Sequence, residues 1–412
     1  MTETTTTASR TRVFRGGFAA WLSAGTLAAV GDGVLYFAIG WTATGVSGSF
    51  AGLAMTLVVL PRTLLLLVGG AAGDRWGLRR TMIACDAALA ATLVAYLVAD
   101  RGEVAITTLL VALSLAIGVT SAFRMPAAGA FPRLFADDDT LARTMSVTSS
   151  MLQIARLSGP PLGGIVVAAA GMAGAISGNL LGCVLILVVL TFVRPPHEAP
   201  SDTPGEGSTL ARIRAALSAV RTRPGLVTLL AAIGLVAAGV IPMLSLCVPL
   251  AARERGWSAE ATGLVEAGWI VGTLGVTLLV ARYGPRARAI GPLIAGPLVT
   301  AAGVVVVAFA APIQVALAGA LVMGVGTATF TTHAMPIYVL ATPDGMLARF
   351  QALAGLVQVA PMVVTNNVLG MVGSDGHAAR AMVLVAIGTA LAAVVIASNP
   401  WLRGQGRSRS RA

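Results

Sequence analysis

Lysine is absent from this chain, and charge of either sign is scarce. All 28 basic residues are arginine. Charged residues make up 11% of the sequence, whereas an ordinary soluble domain carries about 25%. So little charge excludes a typical soluble protein. The net charge of +11 does not indicate nucleic-acid binding, because most of the arginines lie in short segments beside apolar runs, as in membrane proteins.

Cysteine and histidine are also rare, with three of each. Every cysteine falls in an apolar run, which predicts small buried side chains rather than disulfides or metal ligands. These cysteines are Cys85, Cys183 and Cys247. His197 and His377 lie in predicted loops, and His333 has no obvious acidic or cysteine partner. The chain also lacks metal-ligand spacing and a nucleotide-binding loop, so we predict neither an enzyme nor a cofactor.

Long apolar runs dominate what is present. The hydrophobic fraction is 56% and the mean hydropathy is +0.86. A membrane-spanning helix needs about 20 apolar residues, and the first run is too long for a signal-peptide core. We therefore predict an all-α membrane protein with twelve transmembrane helices. The predicted spans are 18–44, 50–73, 81–99, 104–123, 141–170, 174–193, 225–250, 260–281, 289–310, 313–334, 346–373 and 378–399.

The predicted spans form two six-helix halves, 18–193 and 225–399. Residues 1–17 and 400–412 are predicted to be cytoplasmic tails, the second of them basic. The linker 194–224 begins with prolines and then carries Leu210, Ile213 and Leu217 at helical spacing. Together with neighbouring arginines, that spacing predicts an amphipathic helix on the inner membrane surface.

The distribution of arginine predicts the orientation. With the N-terminus inside, 22 of the 28 arginines fall on the inner side. Arg101, Arg253, Arg255 and Arg380 fall outside, and Arg62 and Arg156 fall within spans. Positive residues accumulate on the cytoplasmic side of membranes, so we expect both termini in the cytoplasm of a bacterial cell, at its cytoplasmic membrane.

A charged segment between helices 2 and 3 has a weak copy in the second half. The segment comprises Gly70, Gly73, Asp74, Arg75, Gly77, Arg79 and Arg80. Its copy around Arg282 lies 207 residues later and has Ala281 in place of Asp74. A stronger echo relates 138–143 to 344–349 at an offset of 206. Two echoes at nearly one spacing indicate duplication of a half-length unit, which is common in transporters.

The segment and the repeat resemble the major facilitator superfamily, in which this loop joins helices 2 and 3. The resemblance implies a fold of two pseudo-symmetric halves and a gating role for the loop, with Asp74 helping to hold the outward-open state. In helix 5, the residues Gly159, Pro160, Gly163 and Gly164 resemble a motif of proton-linked drug exporters. The stretches 32–41, 61–62 and 125–126 resemble the macrolide-exporter branch. The arginine that other exporters carry in mid-helix 4 is not recognised here, because Arg124 falls at the predicted helix end.

Charged residues within the spans are the candidates for proton coupling, because a charge in mid-membrane is costly. Asp32 lies about 21 Å into helix 1 at the helical rise, and Glu266 lies in the outer third of helix 8. Arg156 is the preferred partner of Asp32 because it lies at similar depth, and Arg62 is the second choice. The alternative is that these charges only neutralise one another.

Several polar or aromatic side chains are candidates for a substrate cavity, or equally for hydrogen bonds between helices. They are Tyr36, Trp41, Thr331, His333, Asn366 and Asn367. We expect a monomeric secondary transporter that exports a hydrophobic or amphipathic small molecule, such as an antibiotic, in exchange for protons. Its partners are then the substrate and the lipid bilayer, with no nucleic acid. The alternatives are the same fold exporting a defined metabolite or siderophore, or importing a small solute.

Overall fold

The computed structural model describes residues 16–196, 218, 220, 223–284, 290–343 and 346–404. Within these ranges every regular element is helical, which confirms the all-α prediction. The N-terminal tail up to residue 15, the predicted amphipathic helix of the linker, including Arg212, and the basic tail from residue 405 lie outside the described residues.

The helices follow the predicted order. The first four are α1 Gly17–Thr44, α2 Gly48–Trp76, α3 Leu78–Ala99 and α4 Ile106–Ala130, with a short 3-10 helix at Phe131–Phe135. The stretch Asp138–Phe192 contains α5 (138–170) and α6 (172–192). α7 consists of Pro224–Pro242, a π-helical turn Met243–Cys247, and Val248–Arg255. The remaining helices are α8 Ala259–Tyr283, α9 Ile290–Phe309, α10 Ile313–Leu340, α11 in two pieces (Leu347–Val359 and Met362–Val372) and α12 Ala378–Ser398, followed by Pro400–Gly404.

The described helices include eleven apolar stretches that are long enough to cross a membrane. The longest, Thr140–Phe192, has 53 residues, or about 80 Å at the helical rise. Because the hydrocarbon core is about 30 Å thick, this stretch must cross it twice. The chain breaks at Gly171, whose φ of 61° lies in the left-handed region that favours glycine. Counted this way, the described helices provide twelve crossings, the number that the sequence predicts.

Several predicted helix ends differ from the structure, among them those of α2, α4, α7 and α10. α4 continues for six residues beyond Arg124 and includes Pro126, whereas the sequence predicts an end at Phe123. Alanine favours helix, and Pro126 removes only the hydrogen bond to the carbonyl of Ala122. α2 likewise continues to Trp76, so most of the predicted loop is helical and Gly77, with φ 86°, makes the break.

The described residues group into two compact units. The first unit contains the described residues up to Ile39 and those from Leu60 into the linker. The second contains Gly40–Val59 and the described residues after the linker. The sequence predicts that residues 40–59 belong to the first half, but their contacts are with the second unit. Asn367 donates a hydrogen bond to Thr56 (2.8 Å), for example, and Ser374 accepts one from the backbone of Ser49 (3.1 Å).

An aromatic cluster forms the core at one end of the first unit. Trp21 packs against Phe131 with their ring centroids 5.2 Å apart, and Phe18 packs against Phe135 at 5.8 Å. Their buried neighbours include Met82 from α3 and Leu190 from α6. This cluster fixes the start of α1 against the end of α4. It therefore sets the relative heights of the charged residues that lie further along these helices.

Helices α1 and α5 cross in direct backbone contact. A Cβ atom on Gly33 would lie 2.7 Å from the Cα of Gly159, a separation that real structures essentially never show. One turn further along, a Cβ on Gly163 would lie 2.8 Å from the Cβ of Phe37. Small residues allow two membrane helices to approach this closely.

We expect Gly159→Val to destabilise the protein, because an added side chain forces α1 and α5 apart. The expected loss of unfolding free energy is about 1–3 kcal/mol, the usual cost of overpacking. Thermal unfolding in detergent can be followed with a thiol-reactive dye, since all three cysteines are buried. Gly178→Ala is the control, because nothing lies within 4 Å of its added Cβ. Equal melting of the two variants would contradict the close crossing.

Candidate functional site

Arg124 in α4 lies between two carboxylates in the first unit. Its Nη1 donates a hydrogen bond to Oδ2 of Asp32 in α1 at 2.8 Å. Its Nε lies 2.8 Å from Oδ1 of Asp86 in α3. The second contact is an ion pair but not a hydrogen bond, because the angle between donor and acceptor is unfavourable. One guanidinium is therefore shared by two acids from different helices.

The glycines beside Asp32 allow α6 to complete this cluster. A Cβ on Gly31 would lie 3.2 Å from the Cα of Asn179, so α1 and α6 nearly touch there. Asn179 is fully buried and donates from Nδ2 to Oδ1 of Asp32 at 3.0 Å. Cys183, one turn further along α6, lies 3.7 Å from Oδ1 of Asn179 and donates its thiol hydrogen to it. Asp32 is thus held by one charged and one neutral donor.

The two acids differ in their access to solvent. The side chain of Asp32 is 39% exposed, that of Arg124 is 21% exposed, and that of Asp86 is fully buried. With both acids ionised, the cluster carries one net negative charge. Because an uncompensated charge away from bulk water is costly, the cluster can gain by binding one proton. Asp32 is the acid that water can reach.

The partner of Asp32 differs from both sequence-based choices. The ion pair of Asp32 is with Arg124, and neither Arg156 nor Arg62 is paired with Asp32. The error comes from the predicted end of helix 4, which placed Arg124 in a connector at the membrane surface. Asp86 is a further acid inside a predicted span, which is a signal that the sequence does carry.

Arg62 and Arg156 form a second charged group in the first unit. Arg62 in α2 is half-buried and Arg156 in α5 is exposed. Arg62 lies within electrostatic range of both Arg156 and the hydroxyl of Tyr36. In the described chain neither arginine has an ion pair with an acid. These two cations therefore lie within electrostatic range of each other, and neither is paired with an acid of the Arg124 cluster.

Glu266 is the buried acid of the second unit. Its side chain in α8 is 5% exposed, and Oε1 has no hydrogen-bond partner among the described residues. Glu266 and Asp32 lie in different units, so the two predicted coupling acids are not neighbours within one unit. A buried carboxyl without a cationic partner is costly to ionise.

The charged segment covers the end of α2 and the start of α3, and its Arg79 caps the end of α6. Arg79, at the start of α3, donates from Nε to the carbonyl of Leu190 at 2.6 Å and from Nη2 to that of Thr191 at 2.9 Å. A cation at the C-terminus of a helix is favourable, so Arg79 fastens α3 to the end of α6. Arg75 and Arg80 are exposed, and Gly73 is buried. The surroundings of the Asp74 side chain and of Gly70 lie outside the description.

The helix 5 motif lies in the α1–α5 crossing. Gly159 and Gly163 make the close contacts with α1, and Gly164 is buried. α5 keeps helical backbone angles through Pro160, since the non-helical residue in 138–192 is Gly171. The motif therefore acts here as a packing surface for the helix that carries Asp32.

The other predicted cavity residues divide between the units, with Tyr36 in the first and five in the second. Asn366 is fully buried and neither polar atom of its amide has a partner in the described chain. His333 Nδ1 lies 2.9 Å from the carbonyl of Thr329, and Thr331 donates to the carbonyl of Thr327. These contacts stay within α10. In the described ranges no three side chains are grouped as a metal site.

Trp41 and Asn367 connect the ends of α1 and α2 to other helices of the second unit. The guanidinium of Arg253 lies 4.0 Å above the Trp41 ring and donates a hydrogen bond to the Trp41 carbonyl at 3.1 Å. Asn367 reaches Thr56 as described above. The structure therefore gives both residues packing roles between helices of the second unit.

Comparisons with known proteins agree with this fold. The family model described as Major Facilitator Superfamily matches residues 21–365. A D-xylose-proton symporter structure has a TM-score of 0.73 at 16% identity, with 94% of this chain and 99% of that chain covered. A structure of the nucleoside transporter NupG has a TM-score of 0.69 at 12% identity, covering 93% of this chain and 99% of that one. A bacterial homologue of the human lysosomal transporter Spinster has a TM-score of 0.69 at 14% identity, covering 95% and 98%. Identities this low show the fold alone, and no curated sequence matches the chain.

Proposed function

The chain belongs to the Major Facilitator Superfamily, and on that premise we propose that it exports an amphipathic small molecule in exchange for protons. As a member of that family it is a multi-pass membrane transporter of small molecules. The proposed part is the direction, the proton and the kind of compound. We also propose that it is a monomer in a bacterial cytoplasmic membrane. The arginine distribution supports an orientation with both termini inside.

The arginine shared by Asp32 and Asp86 is the observation that supports proton coupling. With one cation and two acids, the cluster binds a proton without needing a new counter-charge. When Asp32, the partly exposed acid, takes up the proton, its hydrogen bond from Arg124 weakens. Arg124 then has one ionised partner left, Asp86, 2.8 Å away. Protonation thus changes which helices the arginine holds together, and a transporter needs such a link between proton binding and helix movement.

The helix 5 motif supports export. Gly159, Pro160, Gly163 and Gly164 resemble the exporter motif, and they press α5 against α1 beside Asp32. Movement of α5 therefore also displaces α1, which carries the proposed proton site, Asp32. Resemblance to the macrolide-exporter branch also supports export. The rival is uptake with protons, which the solved D-xylose-proton symporter of the same fold makes the natural second candidate.

Purified protein in proteoliposomes separates antiport from symport by the sign of the imposed gradient. An antiporter accumulates a fluorescent dye in vesicles that are acidic inside, whereas a symporter accumulates it in vesicles that are acidic outside. Dyes with a permanent charge, such as ethidium and a sulfonated rhodamine, avoid passive partition with pH. We expect accumulation with acid inside that a protonophore abolishes. Accumulation only with acid outside would overturn the proposal, and protein-free vesicles are the control.

A further inference from the structure

The exposed residues of α5 lie on two different sides of the helix. Met151 and Ile154 are exposed apolar residues, and Gln153 and Arg156 are exposed polar residues. Residues two apart in a helix point about 200° away from each other. Met151 and Gln153 therefore face opposite directions, and so do Ile154 and Arg156.

One exposed side of α5 is suited to lipid and the other to water. Leu162 and Ile165 continue the apolar side and are also exposed, as expected for a surface that faces lipid. Ser146 and Ser149 continue the polar side at spacings of three and four residues and are exposed as well. A strip of serine, glutamine and arginine along a spanning helix is stable only beside water. Gln153 and Arg156 thus face an aqueous space within the membrane.

Arg62 brings a second cation toward the same space. In α2 it lies two residues before Leu64, which is 66% exposed and apolar. Arg62 therefore points away from the lipid-facing side and into the protein. The electrostatic interaction of Arg62 with Arg156 and with the hydroxyl of Tyr36 indicates that these three groups share one region of the first unit. In contrast to Arg124, these two arginines have no ion pair with an acid in the described residues.

We propose that Arg62 and Arg156 bind a negatively charged group, such as a carboxylate or sulfonate, of the transported compound. This inference rests on the proposed transport function and specifies its substrate class as an amphipathic organic anion. Guanidinium groups suit such anions because they donate two parallel hydrogen bonds in a fixed plane. Tyr36 supplies a hydroxyl and an aromatic ring beside them, and the ring suits the apolar body of the compound.

Binding at equilibrium tests the inference without any gradient. Three dansyl probes share one fluorophore: dansylglycine is an anion, dansylglycinamide is neutral and dansylcadaverine is a cation. With full-length protein in phosphatidylcholine nanodiscs, we expect dansylglycine to bind about tenfold more tightly than dansylglycinamide, since charge-assisted hydrogen bonds to its carboxylate are the strong ones. Dansylcadaverine should bind most weakly. Equal affinity of the three probes overturns the inference.

Substitutions assign the preference to the two arginines. Arg62→Gln and Arg156→Gln should each remove the advantage of dansylglycine, and Arg156→Lys should keep part of it because the charge remains. Arg101→Gln changes an exposed loop arginine and should leave all three affinities unchanged. A preference for the anion that persists in both glutamine variants overturns the assignment.

Thermal unfolding distinguishes binding from a structural role. Removing one of two neighbouring like charges should leave the melting temperature unchanged or raise it. A lower melting temperature in both glutamine variants would mean that the arginines hold an internal acid, which overturns the inference. An anionic lipid headgroup has the same chemistry as the proposed substrate. If phosphatidylglycerol in the nanodiscs abolishes dansylglycine binding, a lipid occupies the site and the substrate assignment is wrong.

The proposal of proton antiport and the proposal of an anion site can be refuted independently of each other. Loss of proton-driven dye accumulation would refute antiport and leave the anion preference measurable at equilibrium. Equal affinities for the three probes would refute the anion site and leave the gradient experiment unaffected.

Discussion

Arg124→Gln should be the most destabilising single substitution in the first unit. It leaves the carboxylates of Asp32 and Asp86 without their shared cation, and Asp86 is fully buried. Breaking a buried ion pair by removing one partner costs about 3–5 kcal/mol of unfolding free energy. We expect much less folded protein and a clearly lower melting temperature, measured with the thiol-reactive dye.

A second substitution should reverse part of this loss. Asp86→Asn in the Arg124→Gln background replaces the fully buried charge with a neutral amide, so the double variant should melt above Arg124→Gln alone. Arg101→Gln is the matched control for removal of an arginine from the same unit. If Arg124→Gln melts like the unchanged protein, Arg124 does not neutralise the two acids.

Asp32→Asn should abolish gradient-driven accumulation of substrate and leave downhill exchange intact. Asparagine has nearly the same shape, and its Oδ1 can still accept the hydrogen bond from Arg124, although its Nδ2 cannot accept the one that Asn179 donates to Asp32. It cannot gain or lose a proton, and so the substrate no longer moves against its gradient. We expect at least about a tenfold loss in the accumulation ratio, since a coupling of only a few kcal/mol underlies it.

The vesicles used to test antiport serve for this measurement, with substrate exchange at equal pH on both sides as the control for folding. Persistent accumulation with unchanged pH dependence would remove Asp32 as the coupling acid. In that case Glu266 is the next acid to replace, because it is buried and Oε1 lacks a partner in the described residues.

The helices were predictable because their signal is local. A run of about 20 apolar residues is enough to identify a spanning helix, and the twelve predicted runs match the structure closely. The sequence also identified Asp32 as a charge within a span. The glycines on both sides of Asp32 indicate that another helix lies close to it. The neighbour itself, Asn179, lies 147 positions away. No local pattern identifies a contact at that separation.

The partner of Asp32 was missed for a specific physical reason. Met125 and Pro126 indicate a helix end in sequence, because proline disrupts the hydrogen bonds of a helix interior. In the folded chain the helix continues to Ala130, since packing of the following 3-10 segment against Trp21 fixes it there. Tertiary contacts thus override the local signal and keep Arg124 inside a helix. α2 likewise continues beyond its predicted end, to Trp76.

The sharp break at Gly171 has a consequence for how this protein enters its membrane. Helix α5 is a poor candidate to insert alone, because it carries Gln153, Arg156 and two prolines. Helix α6 is far more apolar and follows after a single non-helical residue. With no loop to separate them, the two must leave the translocon together as one helical hairpin. The lipid affinity of α6 can then help to draw the polar side of α5 into the bilayer.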